Sequence, residues 1–166
     1  PGDRLIWSAG EVRATPVAEP APQPPPAAGF EEAVDTLDTL LLESTRRRLD
    51  GLEAPAAFLS GGVDSALLCA MASRVHPRAT AVTVGFEGAR YDEAPVAARV
   101  AGHLGMAHEV LRFAREDYLG ALERFHREAE QPFADPAVPP TLLAFEHCRG
   151  RFDAVLDGSG ADESVG

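Results

Sequence analysis

Residues Ser60-Gly61-Gly62-Val63-Asp64-Ser65 decide how the rest of this chain is read. They follow a short apolar run, Ala56-Ala57-Phe58-Leu59, and precede a second, Ala66 to Ala72, spaced as a helix. That order predicts a strand, a tight glycine turn and a helix start. Glycine lets a backbone approach a ligand closely. The free N–H groups and positive dipole end of the following helix favour an anion. A phosphate-bearing ligand is the expected occupant, against the plainer alternative of a turn that only joins strand to helix. The common phosphate loop with Gly-Lys-Ser/Thr does not fit. All fifteen basic residues are arginine, so no lysine follows the glycines.

Working outward, strand and helix signals alternate. Phe30 to Leu49 carries Val34, Leu37, Leu41 and Leu42 at helical spacing, with Arg46-Arg47-Arg48 suiting the dipole at its end. After the loop and its helix (Asp64 to Val75), Ala79 to Phe86 reads as a strand and Asp92 to Leu104 as a helix. His108 to Phe113 reads as a strand, Arg115 to Glu130 and Pro139 to Cys148 as helices, and Phe152 to Leu156 as a last strand. Such alternation predicts an α/β domain with a parallel sheet. Ligands in these sheets sit beyond the carboxyl ends of strands. Both the first loop and Asp157-Gly158-Ser159-Gly160 fall there.

Ahead of this region, Leu5-Ile6-Trp7 and Glu11-Val12-Arg13 flank Ser8-Ala9-Gly10, which reads as a hairpin. A proline- and alanine-rich stretch over 16–29 reads as an extended linker. The expected organisation is a tail of a preceding domain over 1–15, a linker over 16–29 and the main domain over 30–166.

Composition narrows the function. Apolar residues make up 45% of 166 residues, enough for one cored domain. The net charge of −11 argues against nucleic acid or an anionic membrane as partner. Pro1 to Gly10 is mixed and contains Asp3 and Arg4, unlike a secretory segment. Cys69 and Cys148 lack metal-ligand spacing, and Cys69 is expected to be a buried, inert thiol. A reducing cytoplasm is the expected compartment. His103 and His108 read as surface or boundary residues.

The Ser60–Ser65 loop resembles the pyrophosphate loop of ATP pyrophosphatases, which cleave ATP between the α and β phosphates. The resemblance implies an adenine-nucleotide α-hydrolase-like, Rossmann-like fold. Three further stretches resemble the synthetase domain of glutamine-dependent asparagine synthetases. They are Phe86 with Tyr91-Asp92-Glu93, then Gly102 to Glu109, and then Glu130 to Pro136 followed by Val155 to Glu163. The similarity runs over about residues 30 to 166, in the family's order.

That resemblance implies ATP-dependent adenylation of a carboxylate, aspartate or a related acid, followed by attack of ammonia to form an amide. It also implies a glutaminase domain ahead of this one, with the hairpin as its end. ATP contacts carry over to Leu59, Ser60, Gly61, Gly62, Asp64, Ser65, Val84, Asp157 and Gly158. Asp64 and Asp162 match the family's magnesium carboxylates. The alternative for Asp64 is a cap on a helix starting at Ser65, and Glu163 could equally cap or pair locally. One departure stands out. The family's acidic residue in Ser-Gly-Glu/Asp-Gly is Ser159 here, which cannot carry charge, while related β-lactam synthetases carry tyrosine there. Asp157 is a spatial substitute two residues away. The expectation is therefore adenylation of an acid that need not be aspartate, with a non-catalytic relative as the rival. The family also continues beyond the second loop and supplies a lysine, so the chain to Gly166 is expected to be a truncated domain, inactive alone.

Overall fold

The computed structural model describes residues 3–16, 29–86, 92–132 and 135–160. Of the residues singled out above, Tyr91, Phe133, Ala134, Asp162 and Glu163 lie outside these. The chain divides into two units, 1–36 and 37–166.

In the first unit, β1 (Asp3–Ser8) and β2 (Glu11–Pro16) pair antiparallel, from Asp3 opposite Pro16 to Ser8 opposite Glu11. The two-residue turn needs positive φ at both positions, and Ala9 (φ 52°) and Gly10 (φ 86°) adopt it. Only glycine does so freely.

The second unit is a four-stranded parallel sheet flanked by helices. The order along the chain is α1 (Phe30–Leu49, in this unit from Leu37 on), β3 (Pro55–Phe58), α2 (Val63–Val75), β4 (Thr80–Gly85), α3 (Ala94–Leu104) and β5 (Ala107–Arg112). Then follow α4 (Arg115–Glu128), α5 (Val138–Cys148) and β6 (Ala154–Leu156). The sheet order is β5-β4-β3-β6. Ala57 lies opposite Ala81 on β4 and Leu156 on β6, and Val82 opposite Glu109 on β5. The parallel α/β expectation is met.

Both sheet faces are buried, and so β3 and β4 are apolar at successive positions instead of alternating. Ala57 and Ala81 pack with Leu49, Cys69, Ala72 and Ala97 on one face. Ala56, Val82 and Leu111 pack with Ala144 and Cys148 on the other. The many alanines leave little side chain between layers, so helices lie close to the strands. Phe58 adds an edge-to-face contact with Phe145 of α5, the ring centroids 4.9 Å apart. Cys69 is fully buried and desolvation pushes its thiol up to about 11, which fits an inert core role.

Several expected boundaries shift, each for a local reason. α2 starts at Val63, one residue before the expected start, because Ala66 N–H already donates to Gly62 O at 3.2 Å. α3 starts at Ala94 and not Asp92, whose carboxylate instead accepts from Ala94 N–H (3.1 Å) and Phe86 N–H (3.3 Å). α3 ends at Gly105, at φ 66°, where Met106 N–H reaches back to Ala101 O in a left-handed helix stop. β6 begins only at Ala154, because residues up to Phe152 turn out of α5. Asp153 joins β3 and β6 at their start, accepting from Glu53 N–H (2.6 Å) and Ala54 N–H (2.8 Å). Along α1 the apolar stripe is buried only toward its end, at Thr45 and Leu49; Leu37 stays 40% exposed.

The topology places the site. From β3 the chain moves outward through β4 to β5, then returns to lay β6 on the other side of β3. The strand order therefore reverses between β3 and β6, and a crevice opens beyond their carboxyl ends.

Candidate functional site

The first glycine loop leaves β3 at Leu59. Leu59 N–H donates to Val82 O at 2.8 Å, which prolongs the β3–β4 pairing by one step. Its carbonyl accepts the Thr83 hydroxyl at 2.6 Å. Ser60 and Ser65 then close the loop on itself. Their hydroxyls are 2.8 Å apart, Ser60 N–H donates to Ser65 Oγ at 3.1 Å, and Gly62 N–H donates to Ser60 Oγ at 3.1 Å. Glu93 closes the outer side, accepting from Gly61 N–H at 3.3 Å.

This leaves the start of α2 bare. Gly62 is the N-cap residue, and among the described residues no side chain caps the helix. The first N–H groups of a helix have no intrahelical partner, so the amides of Val63, Asp64 and Ser65 lie together at its positive end. Asp64 sits within the first turn, and the alternative of Asp64 as cap is not borne out. The helix begins before it, and its side chain makes no capping bond.

The second loop, after β6, comes against the first. A Cβ placed on Gly158 would lie 3.7 Å from Ser65 N and 3.8 Å from the Asp64 carbonyl carbon. An added methyl would therefore rest in ordinary contact against the start of α2, so the two turns lie side by side. Asp157 and Ser159 are exposed in this loop and bonded to each other. The Ser159 hydroxyl donates toward Asp157 Oδ1 (3.0 Å) and Oδ2 (3.1 Å), and its N–H donates to Oδ1 at 3.2 Å.

Two adjoining cavities occupy the crevice. One, of about 290 Å³, is lined by Leu59, Ser60, Val82, Thr83, Val84, Phe86, Glu93, Asp157 and Ser159, with α5 behind. The other, of about 310 Å³, is lined by Gly62, Asp64, Ser65, Asp157, Gly158 and Ser159, with Phe58 and Ser60 shared. The sequence-expected residues Leu59, Ser60, Gly62, Asp64, Ser65, Val84, Asp157, Gly158 and Ser159 thus meet around one crevice, and Gly61 lies at its edge. The first cavity is mainly apolar and the second has polar loops and unpaired amides.

Leu59 and Val84 contribute differently. Leu59 is 2% exposed and both its backbone polar groups are already bonded, so it offers apolar contact. On β4, Val82 O faces β3, and backbone groups alternate between edges along a strand. Val84 therefore presents its backbone groups to the same edge, beyond the last residue of β3.

Among the described residues, the charged ones lining the two cavities are all acidic: Asp64, Glu93 and Asp157. Phosphate here must be met by backbone amides and by a cation that arrives with it. Among the described residues no group of three His, Cys, Asp or Glu side chains could hold a metal ion. Magnesium is commonly held by one or two carboxylates together with substrate phosphates. Asp64 and Asp157 facing one cavity fit that mode, and not a metal site made by protein alone.

Sequence reasoning missed Thr83 and the role of His108. Thr83 is buried and spends its one hydroxyl proton on Leu59 O, so it accepts from His108 Nε2–H at 2.9 Å. Burial lowers the His108 pKa, which favours the neutral ring. The signal was a threonine inside an apolar strand, a residue that needs partners once buried.

Comparison with known proteins agrees with this geometry. A Mycobacterium bovis protein provisionally designated a glutamine-hydrolysing asparagine synthetase is 33% identical over 132 residues, 80% of this chain and 20% of its own length. Asparagine synthetase 1 of Bacillus subtilis is 33% identical over 110 residues, 66% of this chain and 17% of its own. The chain thus spans about a fifth of the length of these curated relatives. Among solved structures, the glutamine-dependent NAD+ synthetase of Acinetobacter baumannii, in complex with ADP, superposes with a TM-score of 0.59. It is 22% identical, over 92% of this chain and 29% of that one. The NH3-dependent NAD synthetase of Campylobacter jejuni gives 0.55 at 14% identity, over 78% and 58%. These two establish the shared fold. No helix among the described residues is long and apolar enough to cross a membrane. The asparagine synthase family model matches residues 36–166, and the chain belongs to that family.

Proposed function

We propose that this domain binds ATP in the crevice between the two glycine loops and uses it to activate a carboxylic acid for amide formation. The observation that carries the reading is the contact of Gly158 with the bare start of α2. It brings two glycine turns and the unbonded amides of Asp64 and Ser65 to one cavity at the strand-order reversal. The adenine is assigned to the apolar cavity beside Leu59, Val84 and Phe86, and the phosphates to the amides of Val63, Asp64 and Ser65. Asp64 and Asp157 would hold magnesium, with Asp162 as a further candidate, and the ion would offset charge on the phosphates.

A carboxylate is a poor electrophile because its leaving group would be oxide. Attack of its oxygen on the α-phosphorus breaks the bond to pyrophosphate and leaves an acyl-adenylate. Ammonia then adds at the acyl carbon, loses a proton, and AMP leaves with the bonding electrons. Donors fixed at the site of developing charge are worth most in such a step. The α2 amides are fixed donors of this kind. Ammonia is assigned to glutamine hydrolysis in a preceding glutaminase domain, in a cytoplasmic enzyme. The substitution at Ser159 favours a second reading of the acid, a specialised one in place of aspartate.

The test is isotope exchange of pyrophosphate into ATP by the protein from its complete reading frame, across a panel of acids. Exchange that requires an acid supports the reading. ATP binding without exchange for any acid would favour a non-catalytic relative.

A further inference from the structure

The N–H groups of Ser60, Gly61 and Gly62 are each met by a side chain, and one of these partners differs in kind. Ser60 N–H donates to Ser65 Oγ and Gly62 N–H to Ser60 Oγ, both at 3.1 Å, so two acceptors are hydroxyls of the loop itself. Gly61 N–H donates to the Glu93 carboxylate at 3.3 Å, a side chain 32 positions further along the chain. A hydroxyl can turn and offer its own proton to an arriving phosphate, whereas a carboxylate only accepts. Glu93 and a phosphate oxygen therefore compete for the one proton on the Gly61 amide.

Glu93 reaches the loop from a fixed root. It is the N-cap residue of α3, and its carbonyl accepts from Val96 and Ala97 N–H, each at 3.0 Å. Just before it, Asp92 accepts from Phe86 and Ala94 N–H and pairs with Arg112 at 3.5 Å, which ties this turn to the end of β4 and to β5. The Glu93 side chain then lies along Gly61. A Cβ built on that glycine would be 3.6 Å from Glu93 Cβ and 3.7 Å from its Cγ and Cδ. Glu93 lines the first cavity together with Ser60, so the competition takes place at the wall of the crevice.

We propose that Glu93 is a latch on the first glycine turn: its carboxylate holds the Gly61 amide in the absence of nucleotide and yields it to a phosphate oxygen when a polyphosphate binds. The inference rests on the phosphate site proposed above and names how that site is gated. One charge-assisted hydrogen bond is broken for the one made, so Gly61 gains nothing net from the exchange. Glu93 and the phosphate also repel each other across a short distance. The side chain can swing away on its own rotatable bonds while α3 stays in place. The latch therefore lowers affinity for the anion without blocking the site.

The experiment measures binding of pyrophosphate and of ATP at low salt to the protein from the complete reading frame and to its Glu93→Ala and Glu93→Gln variants. NMR of isotope-labelled glycine amides follows Gly61 in each. Loss of a merely structural contact weakens binding, whereas loss of a latch strengthens it. In Glu93→Ala the affinity for both anions should rise about fivefold, which is what a unit charge about 4 Å away is worth in water. The rise should be smaller in Glu93→Gln, whose side-chain oxygen still accepts from Gly61. The Gly61 resonance of the nucleotide-free protein should move in Glu93→Ala, and pyrophosphate should move it in the parent. Unchanged or weaker binding in Glu93→Ala, with circular dichroism unchanged, overturns the latch and leaves ATP binding standing. Stronger binding with the Gly61 resonance unmoved assigns the gain to charge alone and also overturns it. If Glu93→Ala loses its fold, Glu93→Gln decides by the same sign of change. Absence of ATP and pyrophosphate binding in parent and variants alike overturns both the latch and the phosphate site.

Discussion

The Thr83 hydroxyl lies 2.6 Å from the Leu59 carbonyl, at the last step before the first glycine loop leaves the sheet. It also accepts from His108, so one buried side chain joins β5, β4 and the root of the loop. Thr83→Val keeps the shape but strands both partners. Leaving a buried donor or acceptor unmade costs about 1–3 kcal/mol. Thr83→Val should lower stability by that amount in urea unfolding, and Thr83→Ser should restore most of it. If valine is neutral, the hydroxyl does not hold the loop root.

Gly85 and Gly158 should respond oppositely to alanine. At Gly85 a Cβ would lie 3.0 Å from Val110 Cγ1, 3.1 Å from Arg112 Nη1 and 3.3 Å from Ala94 Cβ, so neighbours must move. Overpacking of this kind costs about 1–3 kcal/mol. Around Gly158 the nearest atom is Ser65 N at 3.7 Å, an ordinary contact. Gly158→Ala should keep its thermal midpoint yet bind ATP more weakly, because the methyl shields an amide assigned to phosphate. Calorimetry and nucleotide titration separate the two. Unchanged ATP affinity in Gly158→Ala would remove that amide from the phosphate site.

The layers of this fold were legible because apolar runs and glycine turns alternate at strand and helix lengths. The sheet order was not. Nothing local in Ala154-Val155-Leu156 tells which strand it joins, since β3 and β4 are likewise short and rich in alanine or valine. The crevice residues were visible as a second glycine turn following a strand, which needs no partner to be recognised. What stayed hidden were relationships between distant residues. Glu93 on Gly61 and His108 on Thr83 depend on how loops and neighbouring strands meet, and neither has a sequence period. Asp64 was ambiguous between cap and ligand until the helix start one residue earlier removed the cap.

Acid should loosen this domain through its bonded carboxylates. The Asp92 pKa is lowered by the Ala94 N–H and then by Phe86 N–H and Arg112. That of Asp153 is lowered by Ala54 and Glu53 N–H, and that of Glu109 by Arg151 and then His147. A folded-state value below the unfolded one means the unfolded chain takes up protons first as pH falls. Stability from these groups is therefore complete above the unfolded carboxylate range of about 4 and is lost as pH falls through the lower folded values. Urea midpoints should hold steady from pH 7 to about 5 in this contribution and drop below about 4. Asp153→Asn should flatten that drop. An unchanged slope would mean that Asp153 does not contribute to it.

Asp64→Asn separates the metal role from the structural one. The side chain lies exposed in the first turn of α2 and makes no capping bond, so the fold should survive. Loss of its charge near the helix start should cost about 0.3–1 kcal/mol at low salt. The larger effect is expected on nucleotide binding. A carboxylate oxygen is a hard ligand suited to magnesium, and an amide oxygen is a weaker one without charge. Titration of the parent should show ATP binding tighter with magnesium than with chelator. In Asp64→Asn the affinity with magnesium should fall toward the chelator value, while affinity in chelator stays level or rises as a negative charge leaves the phosphate site. Equal magnesium dependence in parent and variant would take Asp64 out of the metal's contacts and leave Asp157 as the described carboxylate in that cavity.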